Sequence, residues 1–344
     1  MATPRRALIV LNAGLGNWII AAPVIRQLLD QQPGFRYSLI ASTGPQATLP
    51  EPWRLPGEIE PSPPALWRRF SPDHHEAVLS HLHTHGLDLL INLRKEDPAL
   101  DGNYFAFRDK ARNAGVECWD LHELGAASQA RPIGDQICDL LRLHGVPLLP
   151  SPPAWLASER TTATAPVIGL FLGASKGVKR WSTRSWVDAV HRIAAAHPDD
   201  TIQLTTGTST DERRQLTLVL AECADLPSVS AVELPGRQAL FDWLAGLTGL
   251  VTLDTAAAHL AAALGCPTVG LYFSTLGSVW GPRAAPGLFE TLQSGIGTRC
   301  RAMKVDGTCG RLALGCPAPC RRGVTAEAVA TSLGRVLTQQ PTPR

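Results

Sequence analysis

The sequence predicts an α/β fold with two Rossmann-like domains, each built on a parallel sheet. Short apolar runs typical of buried parallel strands alternate with helical segments in both halves of the chain. A proline-rich stretch without apolar periodicity, residues 151–166, separates the two series and is predicted to be a linker. The 344 residues suffice for two domains of ordinary size. We therefore assign residues 1–150 to the first domain and residues 167–344 to the second.

Composition narrows the classes of function. The formal net charge is +2, so no strong basic excess points to a nucleic acid as a partner. No segment approaches the ~20 uninterrupted apolar residues of a transmembrane helix. The apolar run after Arg5 and Arg6 is interrupted from Asn12 onward, too early for a signal peptide. We expect a cytoplasmic protein.

The first domain opens with a strand at residues 7–11, a glycine-containing turn at 12–17 and a helix at 19–29. A single Gly-x-Gly in such a turn is as typical of helix packing as of phosphate binding. A second strand is predicted at 37–42. The proline-rich residues 43–64 after it are predicted to be loop.

Charged residues follow the next predicted strand. A polar helix at residues 73–85 carries five histidines, which are more typical of a solvated face than of a metal site. A buried strand at 87–93 comes next, and Arg94, Asp97 and Asp101 lie just beyond it. Loops at the carboxyl ends of parallel strands line the ligand cleft of open α/β sheets. We therefore expect these three side chains to face a ligand.

The second domain restarts with a strand at residues 167–172 and a loop that holds Ser175 and Lys179. Small residues there let a ligand approach the backbone, the hydroxyl can donate a hydrogen bond and the ammonium adds charge. These features suit a diphosphate. The alternative is a surface loop with solvated lysines. After the strand at 202–207, Glu212 either holds a ribose hydroxyl or compensates the helix dipole as a first-turn acid.

Residues 249–282 are predicted to form a strand, a short alanine-rich helix, a second strand and a loop. A helix that begins directly after a strand aims its free N–H groups at the mouth of the sheet, where phosphates bind. Thr255 and Ala256 offer such N–H groups. Asp254 can accept hydrogen bonds from ligand hydroxyls, and His259 lies one turn into the helix. The alternative makes Asp254 an N-cap and His259 a structural histidine.

The run Asp-Thr-Ala-Ala-Ala-His-Leu-Ala-Ala-Ala-Leu-Gly at residues 254–265, with Trp-Gly-Pro at 280–282, resembles the donor-binding segment of the bacterial heptosyltransferase family. The family has glycine where this chain has Ala256. Gly-Ala-Ser and Lys-Arg-Trp within residues 173–181 resemble the same family, and Lys179 matches its phosphate-binding lysine. The resemblance implies the GT-B architecture of two facing Rossmann-like domains.

The resemblance also implies a function. It is that of an inverting glycosyltransferase that moves heptose from ADP-heptose onto a lipopolysaccharide-type saccharide or a protein. No cofactor is required for such transfer, and any membrane contact would be peripheral. Lys179, the N–H groups of Thr255 and Ala256, and His259 would neutralise the leaving diphosphate in place of a metal ion. Asp254 would hold the transferred sugar.

On the acceptor side the chain departs from the family. The family's first loop usually ends in Gly-Asp, whose aspartate is the suspected general base, whereas this chain has Gly16 and Asn17. An amide cannot take a proton from an attacking hydroxyl. Arg94 would lie with this loop near the acceptor, and Asp97 or Asp101 is predicted to replace the missing base. The alternative role for Asp97 is a helix N-cap.

Three other functions stay open on the sequence. Gly-Leu-Gly-Asn at residues 14–17 also resembles the opening motif of some fucosyltransferases, which favours another donor such as a GDP-sugar. A nucleotide-sugar epimerase shares the architecture. A non-catalytic nucleotide-binding relative would account for Asn17.

The segment 300–320, before a last helix predicted at residues 325–337, has glycines and prolines but little apolar periodicity, and it carries four cysteines: Cys300, Cys309, Cys316 and Cys320. A four-thiolate structural site for Zn or Fe would order such a loop, although the spacing is not a standard Cys-x-x-Cys pair. The resemblance favours metal, since protein-modifying members of the family bind iron through a comparable cluster. Reduced thiols or one disulfide are the alternatives.

Overall fold

The structure is a computed structural model that divides into two compact units, Met1–Ser151 and Pro152–Arg344. The residues that the structure describes are 5–11, 14–40, 50–55, 59–61, 86–95, 102–149, 154–161, 165–174, 176–295, 300, 303, 308–309 and 319–339.

Unit 1 contains a five-stranded sheet whose described pairings are all parallel. In chain order its strands are β1 Arg5–Val10, β2 Phe35–Ile40, β3 Ile59–Pro61, β4 Leu87–Asn92 and β5 Glu117–Asp120. They lie side by side in the order β3-β2-β1-β4-β5. The order reverses between β1 and β4, which is the doubly wound arrangement of Rossmann-like folds. The described helices of this unit are α1 Leu15–Gln31, α2 Gly102–Asn113, α3 Ala126–Gln129 and α4 Ile133–Leu143.

Helix α1 begins earlier than the sequence predicts. The prediction places a turn over residues 12–17, whereas the helix starts at Leu15, directly after Gly14. Gly14 has a φ of +112°, in the region that glycine adopts without a Cβ clash, so this one residue redirects the chain. Gly16 and Asn17 therefore lie in the first turn of α1.

The predicted loop at residues 43–64 contains two short elements, the 3-10 helix Glu51–Trp53 and strand β3. The indole N–H of Trp18 in α1 donates to the carbonyl oxygen of Trp53 at 3.0 Å and holds the 3-10 helix in place. Strand β3 lies at the sheet edge, where a proline such as Pro61 removes no ladder hydrogen bond that a central strand needs. The loop prediction was wrong at these two elements because proline composition does not exclude an edge strand.

Unit 2 contains a six-stranded parallel sheet. Its strands are β6 Val167–Phe171, β7 Thr201–Thr205, β8 Val229–Ala231, β9 Gly249–Leu253, β10 Thr268–Tyr272 and β11 Phe289–Gln293. They lie in the order β11-β10-β9-β6-β7-β8. The order reverses between β6 and β9, as in the dinucleotide-binding Rossmann fold. Strands β9 and β10 are buried at every residue, which explains their continuous apolar runs.

The described helices of unit 2 lie between or after the strands, and three of them begin directly after a serine or threonine that caps the helix. They are α5 Thr183–Ala196, α6 Thr210–Glu222, α7 Arg237–Gly246, α8 Ala256–Leu264, α9 Gly277–Trp280 and α10 Ala326–Thr338. Ser182, Ser209 and Thr325 cap α5, α6 and α10 through their hydroxyl oxygens. Gly265, with a φ of +72°, ends α8. Within the described parts of the chain, no helix has both the length and the hydropathy needed to cross a membrane.

Part of the stretch predicted as a linker is bonded to unit 2. The N–H of Leu156 donates to the carbonyl oxygen of Ala263 at 2.8 Å, and the N–H of Thr161 donates to that of Ala245 at 3.1 Å. The Leu156 side chain is buried. This part of the chain therefore packs along α7 and α8.

Candidate functional site

The two central strands of unit 2 end side by side. Strand β6 pairs in parallel with β9, with Phe171 opposite Thr252, and the strand order reverses at this pair. Connections from such a pair leave toward opposite faces of the sheet, and the carboxyl edge between them is where ligands bind in open α/β folds. The segment after β6 carries Lys179 and the turn after β9 carries Asp254. Both predicted residues therefore lie at this edge.

Asp254 is the centre of a polar cluster. Lys179 Nζ lies 2.5 Å from Asp254 Oδ2, and the Thr275 hydroxyl donates to the same oxygen at 2.5 Å. Lys179 Nζ also approaches the Asp254 carbonyl oxygen at 3.4 Å. The Asp254 side chain is 8% exposed and that of Lys179 is 20% exposed, so the pair is largely withdrawn from water. Among the residues that the structure describes, none donates to Asp254 Oδ1.

The N-terminus of α8 lies beside this cluster and has no side-chain cap. Thr255 occupies the N-cap position, but its side chain accepts no hydrogen bond from the helix. Its hydroxyl instead lies 3.4 Å from that of Thr252. Asp254 does not cap the helix either, which excludes the alternative that made it an N-cap. The N–H of Ala258 donates to the Thr255 carbonyl oxygen at 3.1 Å, whereas those of Thr255 and Ala256 have no partner among the described residues and remain available to an anion.

His259 is buried in α8 and carries no positive charge at neutral pH. Burial lowers its pKa to about 4, with Asp254 opposing the shift and Lys179 adding to it. Its Nδ1 is buried, and no described residue forms a hydrogen bond with it. The neutral ring can exchange a hydrogen bond with an anion, which is the contact that its place one turn into the helix predicts.

Two further buried hydroxyl groups near Asp254 have no hydrogen-bond partner among the residues that the structure describes. The Tyr272 hydroxyl lies at the end of β10, where burial first and then the charge of Asp254 raise its pKa well above the ordinary value. The Ser274 hydroxyl, just before Thr275, is also buried and unpartnered. Buried polar atoms nearly always have a partner in protein structures, so such atoms mark a place where water or a ligand group binds.

Glu212 lies at the ends of β6 and β7 and has two different carboxylate oxygens. Its Oε2 accepts from Ser209 N at 3.1 Å and from the Ser209 hydroxyl at 2.6 Å, which completes a capping box at the start of α6. The other oxygen, Oε1, packs against Gly173 and Gly207, where an added Cβ would come within 2.7 Å of it. Glu212 thus lies in the first turn of α6, where one alternative placed it as an acid that compensates the helix dipole, and it also completes the cap through one of its two oxygens.

The residues predicted on the acceptor side are only partly described. Gly16 and Asn17 are half-buried in the first turn of α1. Arg94 follows β4, and its N–H donates to Asn92 Oδ1 at 3.1 Å. Asp97 and Asp101 lie outside the described residues, as do Ser175 in unit 2 and the histidine-rich residues 73–85.

Unit 1 holds a buried carboxylate that the sequence analysis missed. Asp120, fully buried at the end of β5, accepts from Asn92 Nδ2 at 3.2 Å and from His122 N at 3.1 Å. Arg108 Nη1 lies 3.6 Å from its second oxygen. These contacts hold the carboxylate within unit 1. Asp120 was missed because it is the last residue of the short strand Glu117–Asp120, whose sequence shows no clear alternation of apolar and polar residues.

The cysteine segment touches the polar cluster through its backbone. Cys309 N donates to the Ser274 carbonyl oxygen at 2.7 Å, and Thr308 forms an antiparallel bridge with Thr275. Cys300, Cys309 and Cys320 are half-buried, and Cys316 lies outside the described residues. In the described part of the chain no three His, Cys, Asp or Glu side chains form a group that could hold a metal ion. The three described cysteines therefore do not make a metal site by themselves.

Comparison with known proteins assigns the second unit. Residues 151–286 match the family model described as glycosyltransferase family 9 (heptosyltransferase). The chain carries a family 9 glycosyltransferase domain. Its enzyme class is therefore glycosyl transfer, and the resemblance to heptosyltransferases predicted from the sequence is confirmed. Among curated proteins, a sequence comparison finds no match.

Solved structures with similar folds cover nearly the whole chain. E. coli heptosyltransferase WaaC, solved with ADP, is 15% identical over 96% of this chain and 99% of its own, with a TM-score of 0.61. E. coli ADP-heptose LPS heptosyltransferase II is 16% identical over 97% and 99%, with a TM-score of 0.60. The dodecameric iron-containing heptosyltransferase TibC of E. coli is 13% identical over 97% and 77%, with a TM-score of 0.55. These likenesses confirm the predicted GT-B fold class.

The structure brings together some of the residues that the sequence predicts for the site. The structure brings together Lys179 and Asp254 and places the start of α8 and His259 beside them. Thr275 was not predicted, although it follows the carboxyl end of β10, and residues after the carboxyl ends of parallel strands line the ligand site of open α/β sheets.

The low pKa of His259 predicts how the stability of the domain depends on pH. The unfolded chain binds a proton at this ring near pH 6.5 and the folded chain only near pH 4. The free energy of unfolding should therefore decrease as the pH is lowered from about 6.5 to about 4, by up to about 1.4 kcal/mol per pH unit. Urea unfolding of the wild type and of His259→Gln, followed across the window, should show a shallower dependence in the variant.

A matched control is His191→Gln, which replaces a 39% exposed histidine on α5. It should keep the wild-type dependence. Equal slopes in the wild type and in His259→Gln would contradict a neutral, buried His259.

Proposed function

We propose that this glycosyltransferase moves a heptose from ADP-heptose onto a saccharide acceptor of the lipopolysaccharide type. The observation that carries the proposal is the pair of Lys179 and Asp254 beside an uncapped helix N-terminus at the reversal of the strand order. Anion-binding N–H groups, one cation and one sugar-binding carboxylate are what a nucleotide-sugar donor requires. Solved relatives named for ADP, ADP-heptose and lipopolysaccharide support this choice of donor and acceptor.

The diphosphate of the donor would bind at the start of α8. The N–H groups of Thr255 and Ala256 and the dipole of the helix favour negative charge there. Lys179 supplies a full charge, and the neutral ring of His259 adds a hydrogen bond. These groups would stabilise the leaving ADP without a metal ion. Ser175, in the same loop as Lys179, is predicted to contribute its hydroxyl.

The transferred sugar would bind to Asp254. Both described donors to this carboxylate, Lys179 and Thr275, use Oδ2. Oδ1 has no described donor and can accept from a sugar hydroxyl. Lys179 therefore links the two parts of the donor, because the ammonium that holds the carboxylate also lies next to the diphosphate site.

The nucleoside would lie over the ends of β6 and β7. Gly173 and Gly207 offer backbone without side chains, and Glu212 Oε1 lies against both. The Thr206 hydroxyl is buried there and has no hydrogen-bond partner in the described part of the chain. A ribose hydroxyl could donate to Oε1 while Oε2 keeps its place in the cap of α6.

Transfer itself is a substitution at the anomeric carbon. The acceptor oxygen forms the new glycosidic bond on one face while the bond to the diphosphate oxygen breaks on the other, which inverts the configuration. The acceptor proton passes to a general base. Asn17 cannot accept it, and Asp97 and Asp101 remain the candidates from the sequence.

Incubation of the purified protein with a panel of ADP- and GDP-sugars tests the function, with heptose-free lipopolysaccharide or a protein as acceptor and mass spectrometry of the products. We expect a heptosylated saccharide from ADP-heptose. Transfer from a GDP-sugar would replace the donor, and a heptosylated protein would replace the acceptor. Isomerised nucleotide sugar without acceptor would indicate an epimerase. No product and no nucleotide binding would contradict catalysis.

Lys179→Ala should raise the Kd for ADP by at least about ten-fold, because a charge-assisted contact of about 1.5 to 3 kcal/mol is lost. Calorimetric titration with ADP measures it. Lys176→Ala is the matched control, since this exposed lysine lies in the same loop and has the same charge. It should change the Kd by less than about two-fold. Equal effects of the two substitutions would overturn the assignment of Lys179.

Alanine substitutions at Asp97 and Asp101 distinguish a general base from a helix N-cap. Loss of the base should lower turnover by about 100-fold or more with little change in melting temperature. Loss of a cap should cost about 1 kcal/mol of stability and leave turnover nearly unchanged. The product assay and thermal unfolding distinguish the two outcomes. Full turnover in both variants would rule out these residues as the base.

The four cysteines have no part in the proposed transfer reaction. A structural Zn or Fe site would need Cys316 in addition to the three described cysteines, and all four ligands would then be sulfur. The iron of TibC supports iron as one candidate. Elemental analysis of protein purified without chelator decides the question.

A further inference from the structure

Thr275 connects the end of β10 to the carboxylate at the end of β9. The two strands are paired neighbours, with Leu271 opposite Leu253, so the residues after them come together at one edge. The Thr275 hydroxyl donates to Asp254 Oδ2 at 2.5 Å, and its residue is only 5% exposed. Its hydrogen bond is therefore shielded from competing water.

The backbone around Thr275 is held from two directions. Gln293 at the end of β11 donates from Nε2 to the Thr275 carbonyl oxygen at 2.7 Å and accepts from Gly277 N at 3.1 Å. On the other side, Cys309 N donates to the Ser274 carbonyl oxygen at 2.7 Å. The hydroxyl cannot leave Asp254 by a shift of the turn unless these contacts break.

The arrangement fixes the orientation of the carboxylate. Lys179 Nζ and the Thr275 hydroxyl approach the same oxygen, Oδ2, from two different loops. Rotation of the carboxylate about the Cβ–Cγ bond would break both contacts to Oδ2. The direction in which Oδ1 points is therefore fixed. The Thr275 hydroxyl donates its hydrogen bond to the oxygen whose position sets the orientation of the Asp254 carboxylate.

We infer that Thr275 is a positioning residue that orients Asp254 toward the sugar of the donor. The inference rests on the proposed function for its ligand, since it assigns Asp254 Oδ1 to a sugar hydroxyl. Thr275 itself contacts neither the sugar nor the diphosphate in this role. Its loss should therefore weaken binding of the nucleotide sugar more than binding of the free nucleotide.

The test compares Thr275→Val, which keeps the shape and removes the hydroxyl, with Thr275→Ser, which keeps the hydroxyl. Calorimetry with ADP and with ADP-heptose gives the ratio of the two Kd values. We expect Thr275→Val to raise the Kd for ADP-heptose about ten-fold and that for ADP less than about two-fold. Thr275→Ser should restore the wild-type ratio. Thr268→Val is the control, because it removes another buried hydroxyl from β10, one that donates to the Cys266 carbonyl oxygen.

A crystal structure of Thr275→Val supplies a readout that needs no donor. The Asp254 carboxylate should rotate away from the orientation described here, with Lys179 as its remaining partner. An unmoved carboxylate together with an unchanged ratio of Kd values would overturn the inference. Failure of the wild-type protein to bind ADP-heptose would instead refute the proposed donor, and the carboxylate orientation would then decide the role of Thr275 by itself.

Discussion

The ion pair between Lys179 and Asp254 is the interaction on which the proposed donor site depends. The two residues are 75 positions apart in the sequence, and the reversal of the strand order brings their segments to one edge of the sheet. Withdrawing two charges from water costs free energy, and a buried pair often stabilises a fold no better than apolar residues would. The pair is better explained by binding. In the proposed donor site the ammonium of Lys179 has three N–H donors, so it can keep its contact with Asp254 and also donate to a diphosphate.

The helix ends of unit 2 show the same division between stability and binding. Helices α5, α6 and α10 are capped by serine or threonine, a contribution of about 1 kcal/mol each. Thr255 is chemically able to cap α8, yet its hydroxyl lies near Thr252 and leaves the helix uncapped. The other helix residues, from Ala257 to Leu264, are all buried, so packing rather than capping stabilises α8. Its start is thereby free to bind an anion.

The sequence predicted the central strands of unit 2 well because they are buried on both faces and appear as continuous apolar runs. It missed β8 and β11, whose residues are mostly half-buried or exposed and whose sequences Val229–Ala231 and Phe289–Gln293 carry little pattern. Lys179 and Asp254 could each be predicted from strand ends and the family motif. Their bond to one another could not, because the sequence gives no side-chain distance. The neutrality of His259 follows from complete burial, a property of tertiary packing.

The closeness of Glu212 to the strand-end glycines restricts how this site can diverge. A Cβ at position 173 would lie 2.5 Å from the backbone nitrogen of Gly207, so that position is closed to any side chain. At position 207 the three nearest atoms belong to the Glu212 carboxylate, the end of a flexible side chain. A larger residue at 207 therefore requires that Glu212 move or be replaced by a shorter residue. As the nucleotide site diverges, a side chain can enter at position 207 at the expense of the cap of α6, whereas none can enter at position 173.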